Sequence, residues 1–232
     1  MAPAKQLWVT AVVLVVTVLF FGLSRVDIWI QSHFYNPATH QWIVDTNDEV
    51  LKFIFYDGIK RLLIVIAVLF LLGLIIGWKK EWMRSYRKGL VIVVLSSIFV
   101  PVVVGSLKDI SNMPCPKSLD LFGGTYPHTC VWESYKTNDC HLEKQKCWPA
   151  GHASGGFALL SLIFLFRSRQ NKIAVACVAM VIGWSMGSYK MLIGDHFLSH
   201  TVITMIVAWL VILLIAKSVD WVIKKKIKSV NV

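Results

Sequence analysis

The amino-acid sequence predicts an all-α integral membrane protein, a bundle of six transmembrane helices with an outward-facing loop that carries disulfide bonds. Of its 232 residues, 56% are hydrophobic and only 16% are charged, and the mean hydropathy is +0.63. A soluble domain of this length would carry more charge. Six apolar runs approach the ~20 residues that a helix needs to cross a bilayer. They are Leu7–Ser24, Leu62–Trp78, Leu90–Leu107, His152–Phe166, Ile173–Tyr189 and Thr201–Ala216.

The first of these runs is predicted to remain in the chain as a helix. A single Lys5 precedes it, which is a weak basic region for a signal peptide. Six short runs make one helical bundle rather than several domains. Residues 1–232 are therefore expected to form a single domain, in which the loop of residues 108–151 carries part of the functional site.

The formal net charge of +11 is concentrated on alternate loops. Lysines and arginines cluster between the second and third runs, between the fourth and fifth, and after the sixth. An excess of these residues on alternate loops marks the cytoplasmic side, so both termini should be cytoplasmic. The expected partner of the basic tail is a surface of anionic lipid headgroups, not nucleic acid. Residues 25–61, 108–151 and 190–200 then face outward.

Four cysteines lie in the long polar loop, namely Cys115, Cys130, Cys140 and Cys147. In an oxidising compartment, four cysteines in one loop predict two disulfide bonds. Three pairings are open, and the sequence does not choose between them. A zinc site is the alternative, but the loop has no C-x-x-C pair. The fifth cysteine, Cys177, falls inside a predicted helix and is expected to be a small buried apolar residue.

Polar residues collect where the predicted helices reach the outward side. Lys108 ends the third helix, and Lys190 ends the fifth. His152 begins the fourth helix, whereas His196 and His200 begin the sixth. The alternating topology brings these distant residues to one depth on one face of the bundle. Polar groups collected at the rim of a bundle are candidates for a functional site.

The first of two motifs around these residues is "PAGH", residues 149–152. Pro149 suits a first helical turn, because its missing N–H would be unpaired there anyway. Small neighbours leave the Gly151 N–H approachable, and a helix N-terminus favours an anion. The alternative is that the small residues Gly155 and Gly156 only permit close packing of helices.

The second motif is "GDHFLSH", residues 194–200. Gly194 is expected to end the fifth helix, and Asp195 is expected to be the N-cap of the sixth. His196 and His200 are four residues apart and therefore share one helix face. One imidazole can then orient the other through a hydrogen bond.

Together these motifs resemble the phosphatidic acid phosphatase type 2 superfamily of integral membrane phosphatases. The family pattern is Lys-x6-Arg-Pro, then Pro-Ser-Gly-His, then Ser-Arg-x5-His-x3-Asp. Here "KDISNMPCP", "PAGH" and "YKMLIGDHFLSH" stand in that order and within the family's range of separations. The match covers about residues 90–217, and the six predicted helices extend it to the whole chain.

The resemblance implies a phosphatase that needs no cofactor and no metal and works through a phosphohistidine. His196 would be the nucleophile, and His152 would protonate the leaving alkoxide. Lys108, Lys190 and the Gly151 N–H would bind the phosphate.

Departures from the family pattern matter for the site: Cys115 and Lys190 replace two arginines, Ala150 replaces the serine of the second motif, and His200 replaces the orienting aspartate. A planar guanidinium fork becomes a point charge at Lys190. Lys117 is the nearest basic residue to Cys115, and Asp195 is an alternative source of a carboxylate beside His196. Both catalytic histidines are retained, which favours an active enzyme over a degenerate relative.

The sequence therefore predicts a multi-pass lipid phosphatase of the bacterial inner membrane, with its site facing the periplasm and a lipid substrate entering sideways from the bilayer. The segment "HFYNPATHQW" is similar to a segment of lipid A phosphatases, so lipid A is the first predicted substrate. Undecaprenyl pyrophosphate, phosphatidylglycerol phosphate and phosphoryl transfer to another lipid remain open. The rival from another class is a non-catalytic protein that binds or moves anionic lipids. No oligomeric state is predicted.

Overall fold

The computed structural model describes residues 3–133 and 143–230, and this part of the chain is mainly helical. Its α-helices are α1 (Pro3–Leu23), α2 (Val26–Ser32), α3 (Glu49–Lys52), α4 (Gly58–Gly77), α5 (Arg87–Ile110), α6 (Gly151–Ala158), α7 (Arg169–Leu192) and α8 (Leu198–Val230). A π-helical turn, Phe53–Asp57, joins α3 to α4, and a 3₁₀ helix, Leu159–Phe164, continues α6. Two short antiparallel strands, β1 (Tyr35–Asn36) and β2 (Gln41–Trp42), add a hairpin that the all-α prediction lacks.

Five helical segments of the described chain are long and apolar enough to cross a membrane: Lys5–Leu23, Glu49–Gly77, Arg87–Ile110, Arg169–Leu192 and Leu198–Lys226. They correspond to five of the six predicted runs. The fourth predicted run forms only the short apolar helix Gly151–Phe164. With eight α-helical and six 3₁₀ residues, it covers about 24 Å, less than the ~30 Å of a hydrocarbon core.

The short α6 lies inside the bundle, in contact with α5, α7 and α8. Its close approach to α7 depends on small residues. A Cβ added to Gly156 would lie 2.7 Å from the backbone of Gly183, and one added to Gly183 would lie 2.5 Å from the ring of Phe157. Gly156 therefore permits the close packing of α6 on α7. The core continues through Val104 of α5 and Ile212 of α8, both fully buried.

α2 and the β-hairpin pack on one end of the bundle, which we call the site end because α5 finishes there and α8 starts there. Gln31 of α2 is fully buried, and its Nε2 donates to the carbonyl oxygen of Met191 at 2.8 Å. Asp27 accepts a hydrogen bond from the backbone N–H of Ser199 at 3.0 Å. The first turn of α8 is thus capped by a carboxylate that is 172 residues away in the sequence.

One disulfide joins Cys115 to Cys147, whose Cα atoms are 5.2 Å apart. Cys130 is a free thiol that contacts the carbonyl oxygen of Gly22 at 3.2 Å, and Cys140 lies outside the described residues. The expectation that Cys177 is buried is wrong, since this residue is exposed on α7. A helix that faces lipid needs apolar side chains on its outer surface, so a cysteine inside an apolar run need not belong to the protein core.

Candidate active site

Two histidines form the centre of the site. His196 lies just before α8, and His200 lies in its first turn. Their Nδ1 atoms are 3.2 Å apart, and both side chains are buried. The His196 Nε2 has no hydrogen-bond partner among the described residues. When the Nδ1–H of His196 donates to His200, the lone pair of His196 Nε2 is therefore available to an electrophile.

The third histidine approaches from α6. The ring centroid of His152 lies 5.8 Å from that of His196, and its buried Nδ1 has no partner in the described chain. Tyr56, in the π-helical turn before α4, contacts His152 edge-on with centroids 4.8 Å apart. The predicted meeting of His152, His196 and His200 is confirmed.

The predicted lysines also lie at this end. Lys190, whose side chain is only 12% exposed, donates to Asp195 Oδ2 at 2.7 Å. Lys117 makes an ion pair with Asp195 Oδ1, also at 2.7 Å. Lys108 passes close to Gly151, since a Cβ added to this glycine would lie 3.9 Å from Lys108 Cδ.

The sequence suggested that Asp195 is the N-cap of the last helix, and this prediction is wrong. α8 starts at Leu198, and the capping carboxylate belongs to Asp27. Gly194, with φ of +74°, reverses the chain after α7. The N–H groups of Asp195 and His196 then donate to the Lys190 carbonyl oxygen at 2.8 and 3.1 Å. This turn directs the Asp195 carboxylate to the lysines instead of to the helix N-terminus.

The charge states follow from burial and from the neighbouring groups. Burial lowers the pKa of His196 well below its usual value, and the nearby histidines and lysines lower it further, so the imidazole is neutral at pH 7. Burial raises the pKa of Asp195, but hydrogen bonds from Lys117 and Lys190 outweigh it, and the net shift is downward. The site therefore combines a neutral histidine with an ionised carboxylate and three lysines.

The disulfide closes one side of the site. The Sγ of Cys147 lies 3.6 Å from His196 Nδ1. Cys147, His196 and His200 offer potential ligand atoms within 4.8 Å of one another, but in the disulfide this sulfur is not the thiolate that binds zinc. The backbone N–H of Lys117 donates to the Gly194 carbonyl oxygen at 2.9 Å, which attaches the segment after Cys115 to the histidine turn.

A cavity of about 390 Å³ opens from the site between the helices. His152 and Gly151 lie in its wall together with Tyr56 and Lys60. The rest of the wall is mainly apolar and comes from α4, α5, the α6 segment and Met186 of α7. Its volume falls in the range of ligand pockets in proteins.

Sequence reasoning missed Tyr56, Lys60 and Asp27. Tyr56 reaches His152 from a π-helical turn, and such turns are frequent at functional sites. No residue pattern in "FIFYD" marks this turn. Asp27 offers a weak signal, because a carboxylate in an otherwise apolar segment needs a buried hydrogen-bond partner.

The described chain is a bundle of helices, five of them long and apolar enough to cross a membrane, and it has three histidines and three lysines at one end. The sequence model of the PAP2 superfamily matches residues 89–224. The chain therefore belongs to the PAP2 superfamily, and the resemblance derived from the three motifs is confirmed.

A curated relative is the lipid A 4'-phosphatase of Francisella tularensis subsp. novicida (strain U112). It is 27% identical to this chain over 189 residues, which cover 80% of this chain and 82% of the relative. No solved structure matches the chain significantly.

Proposed function

We propose that the protein is a membrane lipid phosphatase that transfers a phosphoryl group from a lipid phosphate to His196 and then to water. The observation that carries this proposal is the pair of buried histidines, in which His196 is bonded through Nδ1 while its Nε2 is free of partners in the described chain. A nucleophile oriented by a second side chain is the common arrangement for covalent catalysis.

In the first step, the lone pair of His196 Nε2 forms the N–P bond as the bond from phosphorus to the alcohol oxygen breaks. His152 gives its proton to the departing alkoxide. Lys108 and Lys190 hold the phosphoryl oxygens, whose negative charge they neutralise in a water-poor site. In the second step, His152 takes a proton from water, the water oxygen bonds to phosphorus, and the N–P bond breaks to release inorganic phosphate.

Two neighbouring groups compensate for the departures from the family pattern. Lys117 supplies a cation near the position of the missing arginine, because Cys115 is engaged in the disulfide and Lys117 contacts Asp195. Asp195 holds both Lys117 and Lys190 through ion pairs. His200 orients His196 in place of the family aspartate.

Lipid A is the proposed substrate, since the relative that covers four-fifths of the chain is a lipid A 4'-phosphatase. The apolar cavity beside His152 supports a lipid of some kind rather than a soluble phosphate ester. Undecaprenyl pyrophosphate and phosphatidylglycerol phosphate are the alternative substrates, and another lipid is the alternative phosphoryl acceptor.

The proposed location is the bacterial inner membrane, with both termini in the cytoplasm and the loop of residues 108–151 in the periplasm. Exposed lysines on opposite sides test this topology. In a chain without its free cysteines, Lys144→Cys in intact cells should react with a membrane-impermeant maleimide. Lys80→Cys should react only after permeabilisation. The reverse pattern would contradict both the topology and the periplasmic site.

The phosphohistidine itself is tested by trapping. Purified protein mixed briefly with a ³²P-labelled short-chain lipid phosphate and quenched in alkali should retain acid-labile label. His196→Ala should lose both the label and phosphate release, whereas His33→Ala, which alters the exposed histidine just after α2, should keep both. Full phosphate release by the His196→Ala protein would end this proposal. Lipid binding without phosphate release by the folded wild type would favour the non-catalytic alternative.

A further inference from the structure

Lys60 is a cation for which the proposed reaction has no use. It lies in the first turn of α4 and lines the cavity beside Gly151 and His152. Lys117 and Lys190 both pair with Asp195, but none of the ion pairs in the described part of the chain includes Lys60. Its nearest aromatic contact is Tyr56, whose ring centroid is 5.9 Å from Lys60 Nζ.

Tyr56 lies near both this cation and Lys190. The Lys190 Nζ lies 4.6 Å from the Tyr56 ring centroid, and the ring also touches His152 edge-on. Lys60 and Lys190 therefore both lie near the Tyr56 ring, with the proton donor His152 beside the same ring. The cavity wall includes Lys60 and His152 but not Lys190.

The cavity lies on the side of the leaving group, a conclusion that rests on the proposed function. His152 gives its proton to the departing alkoxide, so the alcohol part of the lipid must lie on the His152 side of the phosphorus atom. The only wall residues with a formal or titratable charge in the described cavity are Lys60 and His152, apart from the Tyr56 phenol. Lys60 is exposed, and an ammonium group that lines a mainly apolar cavity favours an anionic group of the ligand.

We propose that Lys60 binds a second anionic group on the alcohol part of the lipid, so that the enzyme prefers lipids with two phosphate groups over lipids with one. The second anion is a phosphate oxygen, either in a diphosphate or in a phosphodiester or phosphomonoester elsewhere on the same lipid alcohol. The Lys60 ammonium makes a charge-assisted hydrogen bond to this oxygen, while the apolar wall receives the chains. The competing outcome is that Lys60 only extends to the headgroup layer.

Matched substrates test this preference. Dioctanoyl phosphatidylglycerol phosphate and dioctanoyl phosphatidic acid have the same chains, but only the first has a phosphodiester on its leaving alcohol. Farnesyl diphosphate and farnesyl phosphate form a second pair, which distinguishes a diphosphate from a phosphodiester. Lys60→Met keeps the apolar stem of the side chain and removes its charge. Lys52→Met makes the same change at an exposed lysine of α3 outside the cavity.

In at least one pair, the ratio of kcat/KM for the two-phosphate lipid to that for the one-phosphate lipid should exceed one in the wild type. Lys60→Met should lower it by about tenfold or more, as expected for the loss of one charge-assisted hydrogen bond. Lys52→Met should leave the ratio within about twofold of wild type. A wild type without such a preference, or an unchanged ratio in the Lys60→Met protein, would overturn the inference.

Binding separates this inference from the phosphatase proposal. The non-hydrolysable phosphonate analogues of the farnesyl pair need no turnover to bind. If the wild type hydrolyses nothing but binds the diphosphonate more tightly, and Lys60→Met removes that difference, the anion site stands while the phosphatase proposal fails. If hydrolysis occurs and the binding difference survives in Lys60→Met, the phosphatase proposal stands while the anion site fails.

Discussion

Replacing His200 tests whether the second buried histidine orients the first. His200→Leu removes the group that bonds to His196 Nδ1 at 3.2 Å and keeps an apolar side chain in a fully buried position. His196 is only 2% exposed, so water has little access to replace the lost partner. Its ring is then free to rotate, and the tautomer with an available Nε2 is no longer favoured.

The expected loss follows from the energy of one buried hydrogen bond. Leaving a buried polar group without a partner costs about 1–3 kcal/mol, which corresponds to a rate reduced about 5- to 150-fold at 1.4 kcal/mol per factor of ten. His200→Asp should behave in the opposite way. It supplies an acceptor with a negative charge. In the proposed reaction this charge stabilises the positive charge that develops on His196 as Nε2 bonds to phosphorus, so activity should be kept or increased.

The measurement is the steady-state release of phosphate from one short-chain lipid phosphate by purified protein, with thermal unfolding as a check of folding. Thr201→Val is the matched control, because Thr201 is a fully buried neighbour on α8 whose hydroxyl has no partner among the described residues. It should keep wild-type activity. Full activity of a folded His200→Leu protein would refute the orienting function, and an inactive but folded His200→Asp protein would mean that His200 does more than replace an aspartate.

Three further predictions concern the disulfide, the proton donor and the cap of α8. Mass spectrometry without reductant should find Cys115 linked to Cys147 and the exposed Cys177 alkylated, and free alkylation of all three would contradict the structure. His152→Ala should slow turnover by about 10²–10⁴-fold, with a smaller loss for an ester whose leaving group needs no protonation; an equal loss for both esters would argue against proton donation. Burial raises the pKa of Asp27 from 3.8 to about 6, so between these two values the folded state binds a proton that the unfolded state has lost. As the pH rises from about 4 to about 6, the free energy of unfolding of the wild type should therefore fall by up to about 3 kcal/mol relative to that of Asp27→Asn. Parallel pH profiles of the two melting temperatures would contradict this assignment.

Much of the site could be predicted because it depends on helix ends. Once alternate loops are assigned to opposite sides, the ends of the long helices fix which residues share a depth. Lys108 and Lys190 come at the last turns of α5 and α7, and the four-residue spacing of His196 and His200 places them on one face. Hydrophobic periodicity and loop charge are sufficient for these inferences, and the structure brings all of these residues together.

The features that the sequence did not predict depend on contacts between distant segments. An aspartate just before a helix usually caps it, yet Asp27 takes this position and Asp195 turns to two lysines instead. The π-helical turn that directs Tyr56 at His152 has no recognisable residue pattern. The fourth run also falls short of a span, because its helical residues cover only Gly151–Phe164.

Cys115 stands at the position of the family arginine, and neighbouring groups supply what the arginine would provide. An arginine both ties its segment to the site and supplies a cation with two donors. Here the two tasks are divided between neighbours. The bond from Cys115 to Cys147 ties the segment covalently, 3.6 Å from His196, and the backbone N–H of Lys117 fixes the chain to the histidine turn. The Lys117 ammonium then supplies the cation at Asp195. On this argument Cys115→Arg should not improve the enzyme, since it adds a charge that Lys117 already provides and removes the covalent tie.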